Sequence, residues 1–349
     1  MLIAALRDLQ WRRRRFVIAI VGTATVFAMT LILTGLANGF SAEAQRSVDA
    51  MGVEKFVIKS GSVGPFLGSG RFAQTDVGVI ARVPGVESAT PLVYAAAILQ
   101  DRHGPQNVNV FGAPDRGPGM PQMQSGRVPT LPGEAAVSTT LGRAVGDTLE
   151  INSRRLQIVG LVDNSTALAG QANVFMTVIG AQRLLFSGQP LISSVAVVGD
   201  PQHLPDGYRL IDRAGAVDDM VRPLHGAYTA MSYMAVLLWL VAVLIVGSLI
   251  YLSVLERTRD FAVFKAIGVP TRSVLSGLAL QAVIVAVVAA LLGGLLAQVL
   301  GPLFPMRVLV PASAYTLLPV AAVVIGLLAT GAGLRRTVRI DPALAFGGP

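Results

Sequence analysis

The sequence predicts an α-helical membrane protein with four transmembrane helices and an α+β extracytoplasmic domain. Hydrophobic residues make up 53% of the 349 residues, above the share of about 45–50% that is typical of soluble domains. The excess lies in four apolar runs, each near or above the roughly 20 residues that cross a bilayer. Between the first two runs, residues 39–227 are rich in Gly, Pro and polar residues, which is typical of a folded domain outside the membrane.

The distribution of charge predicts the orientation of the chain. The net charge is +8, from 28 Lys and Arg against 20 Asp and Glu. The N-terminus, the loop after the second run and the C-terminal tail hold 12 basic and four acidic residues, whereas residues 39–227 hold 15 and 16. Because basic loops stay in the cytoplasm, both termini and this loop are predicted to be cytoplasmic. The basic charge therefore indicates membrane topology and not a nucleic-acid binder.

The chain begins with a predicted cytoplasmic amphipathic N-terminus, residues 1–15, which contains five arginines and Trp11. The first span follows at 16–38. Gly35 and Gly39 are four residues apart at its outer end, a spacing that permits close helix packing. A cleaved twin-arginine signal is the alternative, but the apolar core of about 20 residues exceeds the 7–15 of a signal peptide, which favours a retained span.

Residues 39–227 are predicted to form the α+β domain. The clearest module, 133–164, is predicted to hold a helix, a turn at Gly146 and Asp147, and two strands that form a hairpin through Asn152 and Ser153. The other segments are predicted as strands at 53–60, 88–100 and 107–114, a short helix within 75–86, and mixed strand and helix at 172–186 and 192–199.

No catalytic or metal site is predicted in this domain. The three histidines, His103, His203 and His225, are far apart in sequence and form no ligand pair. With no cysteine in the chain, disulfides, thiolate metal sites and a Cys nucleophile are excluded. Asp218 and Asp219 are interpreted as a solvated helix face, and the Gly-rich stretch 61–70 as a flexible loop, because no Lys follows it to make a phosphate site.

The second half of the chain alternates spans and short loops. A small-residue stripe of Ala289, Gly293 and Ala297 in the third span predicts tight helix packing. The predicted segments are the second span with an outer stalk at 228–255, a cytoplasmic helix at 256–270, the third span at 272–300, a short outer loop at 301–313, the fourth span at 314–334 and a cytoplasmic tail at 335–349.

Apart from Arg272 at the cytoplasmic start of the third span, the spans contain no Asp, Glu, Lys, Arg or His. Carriers driven by ions or protons place such groups near the middle of the bilayer, so the sequence disfavours that class. The chain also lacks the G-x-x-x-x-G-K-[ST] loop of an ATPase, since its three lysines are Lys55, Lys59 and Lys265. A separate protein must therefore supply any energy that is used.

The charged stretch Glu256 to Pro270, ERTRDFAVFKAIGVP, is the most informative part of the sequence. The spacing of Phe261, Phe264 and Ile267 predicts a short helix with one apolar face, which Gly268 and Pro270 end. A charged loop that only sets topology is the alternative.

This stretch resembles the signature of MacB/FtsX-type ABC transporter permeases. The resemblance implies that 256–270 is a coupling helix that docks into a groove of a cytoplasmic ABC ATPase, with Phe261, Phe264 and Ile267 as the inserted side chains. Arg259, Asp260 and Lys265 would form the polar rim of the interface. Arg257 would belong to the same helix.

The resemblance extends to both ends of the chain, ALRDLQWRRRRFVIAIVG and LRRTVRIDPALAF, and to the pattern GDTLEINSRRLQIVGLVD in the large domain. It implies a bacterial inner membrane location, and a domain with a porter-like lobe built from both ends of the insert and an inserted β-rich lobe near 115–190. ATP and Mg²⁺ are expected on the partner ATPase, with no cofactor in this chain.

The expected function is export or extraction of a lipid, lipoprotein or amphipathic compound by mechanotransmission, in which ATP hydrolysis by the ATPase moves the extracytoplasmic domain. A second permease copy, in a homodimer, and membrane lipids are the further partners. One alternative is an FtsX-like signalling module that regulates a cell-wall hydrolase through a periplasmic or cell-wall partner. FtsX-like members carry a smaller outer domain, which disfavours this alternative. The other is a solute importer permease, which the different signature of importers disfavours.

Overall fold

The computed structural model describes residues 13–67, 70–101, 104–256, 270–304 and 306–338. The chain divides into two compact units. We call Met1–Asn38 together with Ala227–Pro349 the helical unit, and Gly39–Gly226 the α/β unit. The predicted N-terminus falls largely, and the C-terminal tail in part, outside the described residues.

The α-helices of the described residues are numbered in chain order. They are α1 (Arg13–Ala50), α2 (Asp76–Ile80), α3 (Val178–Leu185), α4 (Arg213–Val221), α5 (His225–Glu256), α6 (Thr271–Leu300) and α7 (Ala312–Val338). A 3₁₀ turn, Arg222–Leu224, joins α4 to α5, and another, Gly301–Leu303, follows α6.

Three helical stretches of the described residues are long and apolar enough to cross a membrane: Phe16–Ala50, Arg213–Leu252 and Ser276–Leu303. A shorter apolar helix, Ala312–Leu328, lies at the fourth predicted span. Together with the α/β unit, these helices confirm the predicted fold class. Helix α1 continues well beyond the predicted end of the first span at residue 38, because 39–50 keeps a helical pattern of buried and exposed residues.

The α/β unit is built on a mixed sheet. Its strands are β1 (Lys55–Lys59), β2 (Phe72–Ala73), β3 (Val86–Asp101), β4 (Gly104–Gly112), β5 (Ser125–Gly126), β6 (Glu134–Ser138), β7 (Thr148–Ile151), β8 (Arg154–Val162), β9 (Thr166–Ala167), β10 (Gln171–Met176), β11 (Leu191–Ile192), β12 (Ser194–Gly199) and β13 (Tyr208–Asp212).

In the described part of the chain, eleven of these strands form one sheet, whose main path runs β13-β1-β12-β3-β4-β10-β6-β8-β5. The sixteen-residue strand β3 belongs to both halves of this path. Its first part pairs with β12, and its second part, from Val93, pairs with β4. The half that contains β1, β12 and β13 therefore comes from both ends of the insert, as expected of the porter-like lobe. The β-rich half begins inside β3, earlier than residue 115.

The prediction of a helix at the start of 133–164 was wrong. Residues Glu134–Ser138 form strand β6, and a short 3₁₀ turn, Thr139–Leu141, follows. All five residues of β6 are buried, because the strand lies between β8 and β10 in the middle of the sheet. Burial on both faces outweighs the weak helix preference of the two alanines.

The predicted hairpin in the same module is confirmed. Strands β7 and β8 pair in antiparallel register, with Ile151 opposite Arg154. Asn152 and Ser153 form the two-residue turn with φ of 47° and 61°. Positive φ at both central residues is the geometry that matches the right-handed twist of a hairpin, and Asn tolerates it better than most residues.

An ion pair between the buried Glu134 and the half-exposed Arg127 makes the stability of the α/β unit depend on pH. The Glu134 carboxylate accepts hydrogen bonds from the Arg127 guanidinium and from the backbone N–H groups of Thr130 (2.9 Å) and Leu131 (3.1 Å). The bond to Arg127 is the main reason that the pKa of Glu134 falls from its ordinary 4.5 to about 2, and burial opposes this shift only in part.

We expect Glu134→Gln to flatten the acid side of the stability profile. Because the folded pKa of Glu134 lies below the unfolded one, its stabilisation is present above about pH 4.5 and is lost as the pH falls toward 2. The effect should be about 1 to 2 kcal/mol, reduced because Arg127 is half exposed. Unfolding of wild type and variant measured between pH 6 and 3 tests this, and a difference that stays constant with pH would contradict it.

Candidate functional site: the coupling segment and the helices that flank it

The predicted coupling residues lie outside the described residues. These are Arg257, Arg259, Asp260, Phe261, Phe264, Lys265 and Ile267. The structure describes both flanks of the segment. Helix α5 ends at Glu256, and Pro270 precedes α6 in an extended conformation, with φ −65° and ψ 135°. The conformation and apolar face of the segment itself stay predictions.

The flanking helices belong to a packed core that also contains α1 and α7. Phe27 of α1 is fully buried, and its ring lies 5.6 Å from that of Trp239 of α5. Ala289, Gly293 and Ala297 of α6 are also buried. A side chain at Gly293 would lie 2.8 Å from both the Ala24 carbonyl oxygen and the Phe27 Cβ. The backbones of α6 and α1 therefore approach each other at Gly293.

A second close approach was missed by the sequence reasoning. A Cβ at Gly326 of α7 would lie 2.9 Å from the backbone N and Cα of Val283 in α6. Because these atoms belong to the backbone, no side-chain rotation can make room. The available signal was a Gly among the apolar residues of a helix, where it costs about 1 kcal/mol relative to Ala unless packing requires it.

Gly35 packs against a loop. A Cβ at Gly35 would lie 2.5 Å from Cγ1 of Val308 and 2.8 Å from Cγ2 of Val310. The backbone N–H of Leu309 donates to the Gly35 carbonyl at 2.9 Å, which holds this loop against α1. Gly39, the second residue of the predicted pair, is buried and begins the α/β unit.

Within the α/β unit, the last turns of α1 are hydrogen-bonded to the sheet. The Ser47 hydroxyl donates to the Thr166 carbonyl at 2.8 Å, and Asn173 Nδ2 donates to the Ser47 hydroxyl at 3.0 Å. The backbone N–H of Gly170 donates to the Glu43 carboxylate at 3.0 Å. Glu43, Ser47 and Asn173 are all buried. Nothing in the local sequence pattern predicts these contacts, whose partners are over a hundred residues apart.

The same network continues to the centre of the sheet through Asn109. Asn109 Nδ2 donates to Asn173 Oδ1 at 3.1 Å, and the Tyr94 hydroxyl donates to Asn109 Oδ1 at 3.0 Å. Burial raises the pKa of Tyr94, and the nearby Asp219 carboxylate adds to this shift. The phenol therefore stays neutral and remains a donor.

We expect Asn109→Leu to destabilise the α/β unit by about 2 to 3 kcal/mol. Leu has a similar size, but it would leave the Tyr94 hydroxyl and Asn173 Oδ1 buried without these partners, at about 1–3 kcal/mol for each group. The matched control is Asn107→Leu, two residues away on the same strand but exposed, with a change within about 0.5 kcal/mol. Chemical unfolding of both variants tests the difference, and equal midpoints would contradict it.

Helix α4 is fastened to the loop 61–67 by Asp219, so the interpretation of Asp219 as a solvated residue was wrong. Asp219 is 0% exposed, and its Oδ2 accepts from the backbone N–H groups of Phe66 (2.9 Å) and Leu67 (3.1 Å). Only Asp218 faces solvent, where it pairs with Arg222 at 3.5 Å. The reason is that α4 packs over the loop, which a sequence pattern does not reveal.

The loop that Asp219 holds carries an aromatic anchor. The Phe66 ring lies 5.4 Å from Tyr94, 5.7 Å from Phe56 and 5.9 Å from Phe111, in edge-on geometries. This arrangement is favourable for aromatic pairs. The part of the Gly-rich stretch that the structure describes is therefore packed into the core around Tyr94. The ends of α1 and α4 are thus both connected to Tyr94, one through Asn109 and the other through Phe66.

The described residues contain no group of three or more His, Cys, Asp or Glu that could hold a metal. His103 lies outside the described residues. His225 begins α5, with its Nε2 3.7 Å from the Asp218 carboxylate. His225 therefore lies at a helix terminus beside an exposed carboxylate.

Two protein families match the chain over most of its length. Residues 17–206 match the family described as MacB-like periplasmic core domain. Residues 232–342, which include the coupling segment, match the family described as FtsX-like permease C-terminal. The two matches together span the helical unit and the α/β unit.

Several proteins are similar to the chain along its full length. The ABC transporter permease Rv2563 of Mycobacterium tuberculosis is 61% identical over 349 residues, which cover 100% of both chains. The ABC transporter permease Rv0072 of the same species is 58% identical with the same coverage. A putative hemin transport system permease protein, HrtB of Staphylococcus haemolyticus, is 20% identical over 366 residues, covering 99% of each chain.

Proposed function

The chain belongs to the MacB/FtsX-type family of ABC transporter permeases, and from this premise we propose that it moves an amphipathic compound, a lipid or a lipoprotein by mechanotransmission. A permease of an ABC transporter implies a partner ATPase. In this proposal the ATPase binds ATP and Mg²⁺, and the permease transmits the movement that the ATPase drives. The observation on which the proposal rests is the sequence of residues 256–270, with its three apolar side chains between two spanning helices.

The proposed stroke begins at the coupling segment. ATP-driven closure of the ATPase would push Phe261, Phe264 and Ile267, and with them the adjoining ends of α5 and α6. Two apolar helical stretches, Phe16–Ala50 and Arg213–Leu252, contain residues of both units. Chain continuity of this kind supports transmission of a displacement from the helical unit to the α/β unit.

The hydrogen bonds within the α/β unit supply the last step of the proposal. Glu43 and Ser47 fasten the end of α1 to the sheet, and Asp219 fastens α4 to the loop of Phe66. A displacement of either helix would therefore be passed to the sheet and not absorbed by a loose contact. The α/β unit, placed outside the inner membrane with both termini in the cytoplasm, would then open and close around its cargo.

Four helices enclose little space, so the proposal includes a second permease copy and two coupling helices for two ATPase subunits. An amphipathic cargo accords with the distant relative HrtB, which is named for hemin transport. Apart from Arg272 at the start of the third, the predicted spans carry no acidic or basic side chain, which disfavours a path for a free ion through the helices. Membrane lipids surround the helical unit in this scheme.

Affinity purification of the full chain from solubilised membranes tests the proposal. We expect an ABC ATPase to co-purify and the complex to hydrolyse ATP. Co-purification of a cell-wall hydrolase in addition would favour the signalling function. Purification of the chain with no ATPase at all would remove the basis of the proposed mechanism. Substitution of Phe264 tests the same co-purification at a single residue.

A further inference from the structure

A pocket of about 300 Å³ lies in the α/β unit, between strand β8, helix α3 and the turn that precedes β6. We propose that this pocket binds the acidic headgroup of an anionic amphiphile, such as a phosphate or carboxylate carried on a hydrocarbon chain. The volume is at the lower end of the range of about 300–1,000 Å³ for small-molecule sites. It suits a headgroup and the first part of a chain.

Three arginines line the pocket: Arg154 and Arg155 of β8, and Arg183 of α3. Among the described residues, none of the three is paired with a carboxylate within 4.0 Å. The carboxylate opposite them in the sheet is Glu150, which is paired in register with Arg155. Residues 39–227 as a whole hold 15 basic and 16 acidic residues, so this cluster is a local positive excess in a nearly neutral unit.

The strand geometry indicates which arginine side chains are assigned to the ligand. Side chains two residues apart on a strand share a face, so Arg154 lies on the same face as Leu156, which is buried. Arg155 lies on the opposite face, with Glu150 as its cross-strand neighbour. Arg154 and Arg183 are therefore the cations assigned to the ligand. Guanidinium groups bind phosphate and carboxylate oxygens through paired hydrogen bonds.

Apolar residues line part of the pocket and also lie next to its lining residues in sequence. Leu156 and Leu184 line it and are only 5% and 7% exposed. Leu131 and Ile179, at 60% and 54%, are the most exposed large apolar side chains in the described part of the α/β unit. They precede Pro132 and Gly180, which both line the pocket.

The segments that carry Leu131 and Ile179 meet in a close backbone contact. A Cβ at Gly180 would lie 2.7 Å from the Pro132 carbonyl oxygen, so the start of α3 packs directly on the turn that carries Leu131. Cations beside exposed apolar side chains fit a ligand that combines negative charge with a hydrocarbon. Neutral and cationic amphiphiles would leave the arginines without partners.

The proposed ligand defines the chemistry of the cargo. The statement that this ligand is the cargo rests on the proposed function. The binding itself is measured without ATP and without the ATPase, so it fails or succeeds separately from co-purification. The full chain in a non-ionic detergent is titrated calorimetrically with decyl phosphate, inorganic phosphate and decyltrimethylammonium. We expect decyl phosphate to bind at least about tenfold more tightly than inorganic phosphate, because the chain adds apolar contact.

The decisive variant is Arg154→Gln with Arg183→Gln. Losing two charge-assisted contacts should weaken decyl phosphate binding by about tenfold or more. The control, Arg82→Gln with Arg116→Gln, removes two exposed arginines of the same unit that do not line the pocket, and should leave the affinity unchanged. Leu131→Ser with Ile179→Ser should weaken decyl phosphate binding but not inorganic phosphate binding.

Three results would overturn the inference. The first is equal affinity in wild type and the Arg154/Arg183 variant, and the second is binding of decyltrimethylammonium as tight as that of decyl phosphate. The third is an acidic peptide that binds as tightly as decyl phosphate, which would make the pocket a polypeptide site. Nanodiscs of phosphatidylcholine with and without phosphatidic acid identify the source. Competition by phosphatidic acid identifies a membrane headgroup, and its absence identifies a free amphiphile.

Discussion

A chain that carries Phe264→Asp is expected to be purified from membranes without its ATPase. Phe264 is one of three apolar side chains that the family resemblance places in the groove of the ATPase, and such anchors dominate the energy of an interface. Asp would remove the aromatic contact and would bring an unpaired charge into a desolvated groove, which costs several kcal/mol. The expected result is loss of the ATPase from the affinity eluate, with the permease still present at the wild-type amount.

The controls separate docking from folding. Val79→Asp introduces the same charge at a 46% exposed residue of α2 in the α/β unit, and should retain the ATPase. Phe264→Leu keeps an apolar side chain at the coupling segment and should retain part of the binding. If the Phe264→Asp chain held as much ATPase as the wild type, Phe264 would have no role in docking.

Gly293→Leu is expected to prevent assembly of the helical unit. A Cβ at this position would lie 2.8 Å from the Ala24 carbonyl oxygen of α1, and a larger side chain would force the two helices apart. Overpacking of a tight core costs about 1–3 kcal/mol, and more where the backbone cannot yield. We expect a loss of about 4 kcal/mol or more, seen as aggregation in size-exclusion chromatography of the solubilised protein.

The adjacent glycine provides the matched comparison. A Cβ at Gly294 would lie 3.8 Å from the Tyr315 ring, which is ordinary contact. Gly294→Ala should therefore stabilise α6 by up to about 1 kcal/mol, since Ala favours a helix over Gly. Gly293→Ala should lower the thermal midpoint in spite of the same gain. Equal midpoints for the two alanine variants would mean that α6 and α1 do not pack closely at Gly293.

The membrane architecture could be predicted from the sequence because hydrophobic length is a local property. Twenty or so consecutive apolar residues have few alternatives to a spanning helix, and the flanking arginines predict an orientation. The hairpin at Asn152 and Ser153 was predictable for the same reason, because the turn conformation depends on these residues themselves. The family resemblance likewise rests on a continuous string, Glu256 to Pro270.

Contacts between distant residues were beyond prediction. Asp219 looked solvated beside Asp218, yet it is buried because Phe66 and Leu67, some 150 residues away in sequence, offer two N–H groups to its carboxylate. The segment Glu134–Ser138 looked helical, yet its place between β8 and β10 makes it a strand. The only sequence signal at Gly326 was its place among apolar helical residues, which does not reveal that it packs against Val283.

The sequence by itself determined the membrane-spanning character of this protein, its predicted orientation and its family. These depend on runs of adjacent residues: the free energy of transfer to the bilayer adds up along an apolar run, and the family signature is a continuous string of residues. Only the tertiary structure decided how Ser47, Asn173 and Asn109 connect a helix to the sheet, and that Arg154 and Arg183 line one pocket. The physical reason is that a hydrogen bond or a cavity depends on groups that meet in space, and their separation in sequence leaves no periodic pattern.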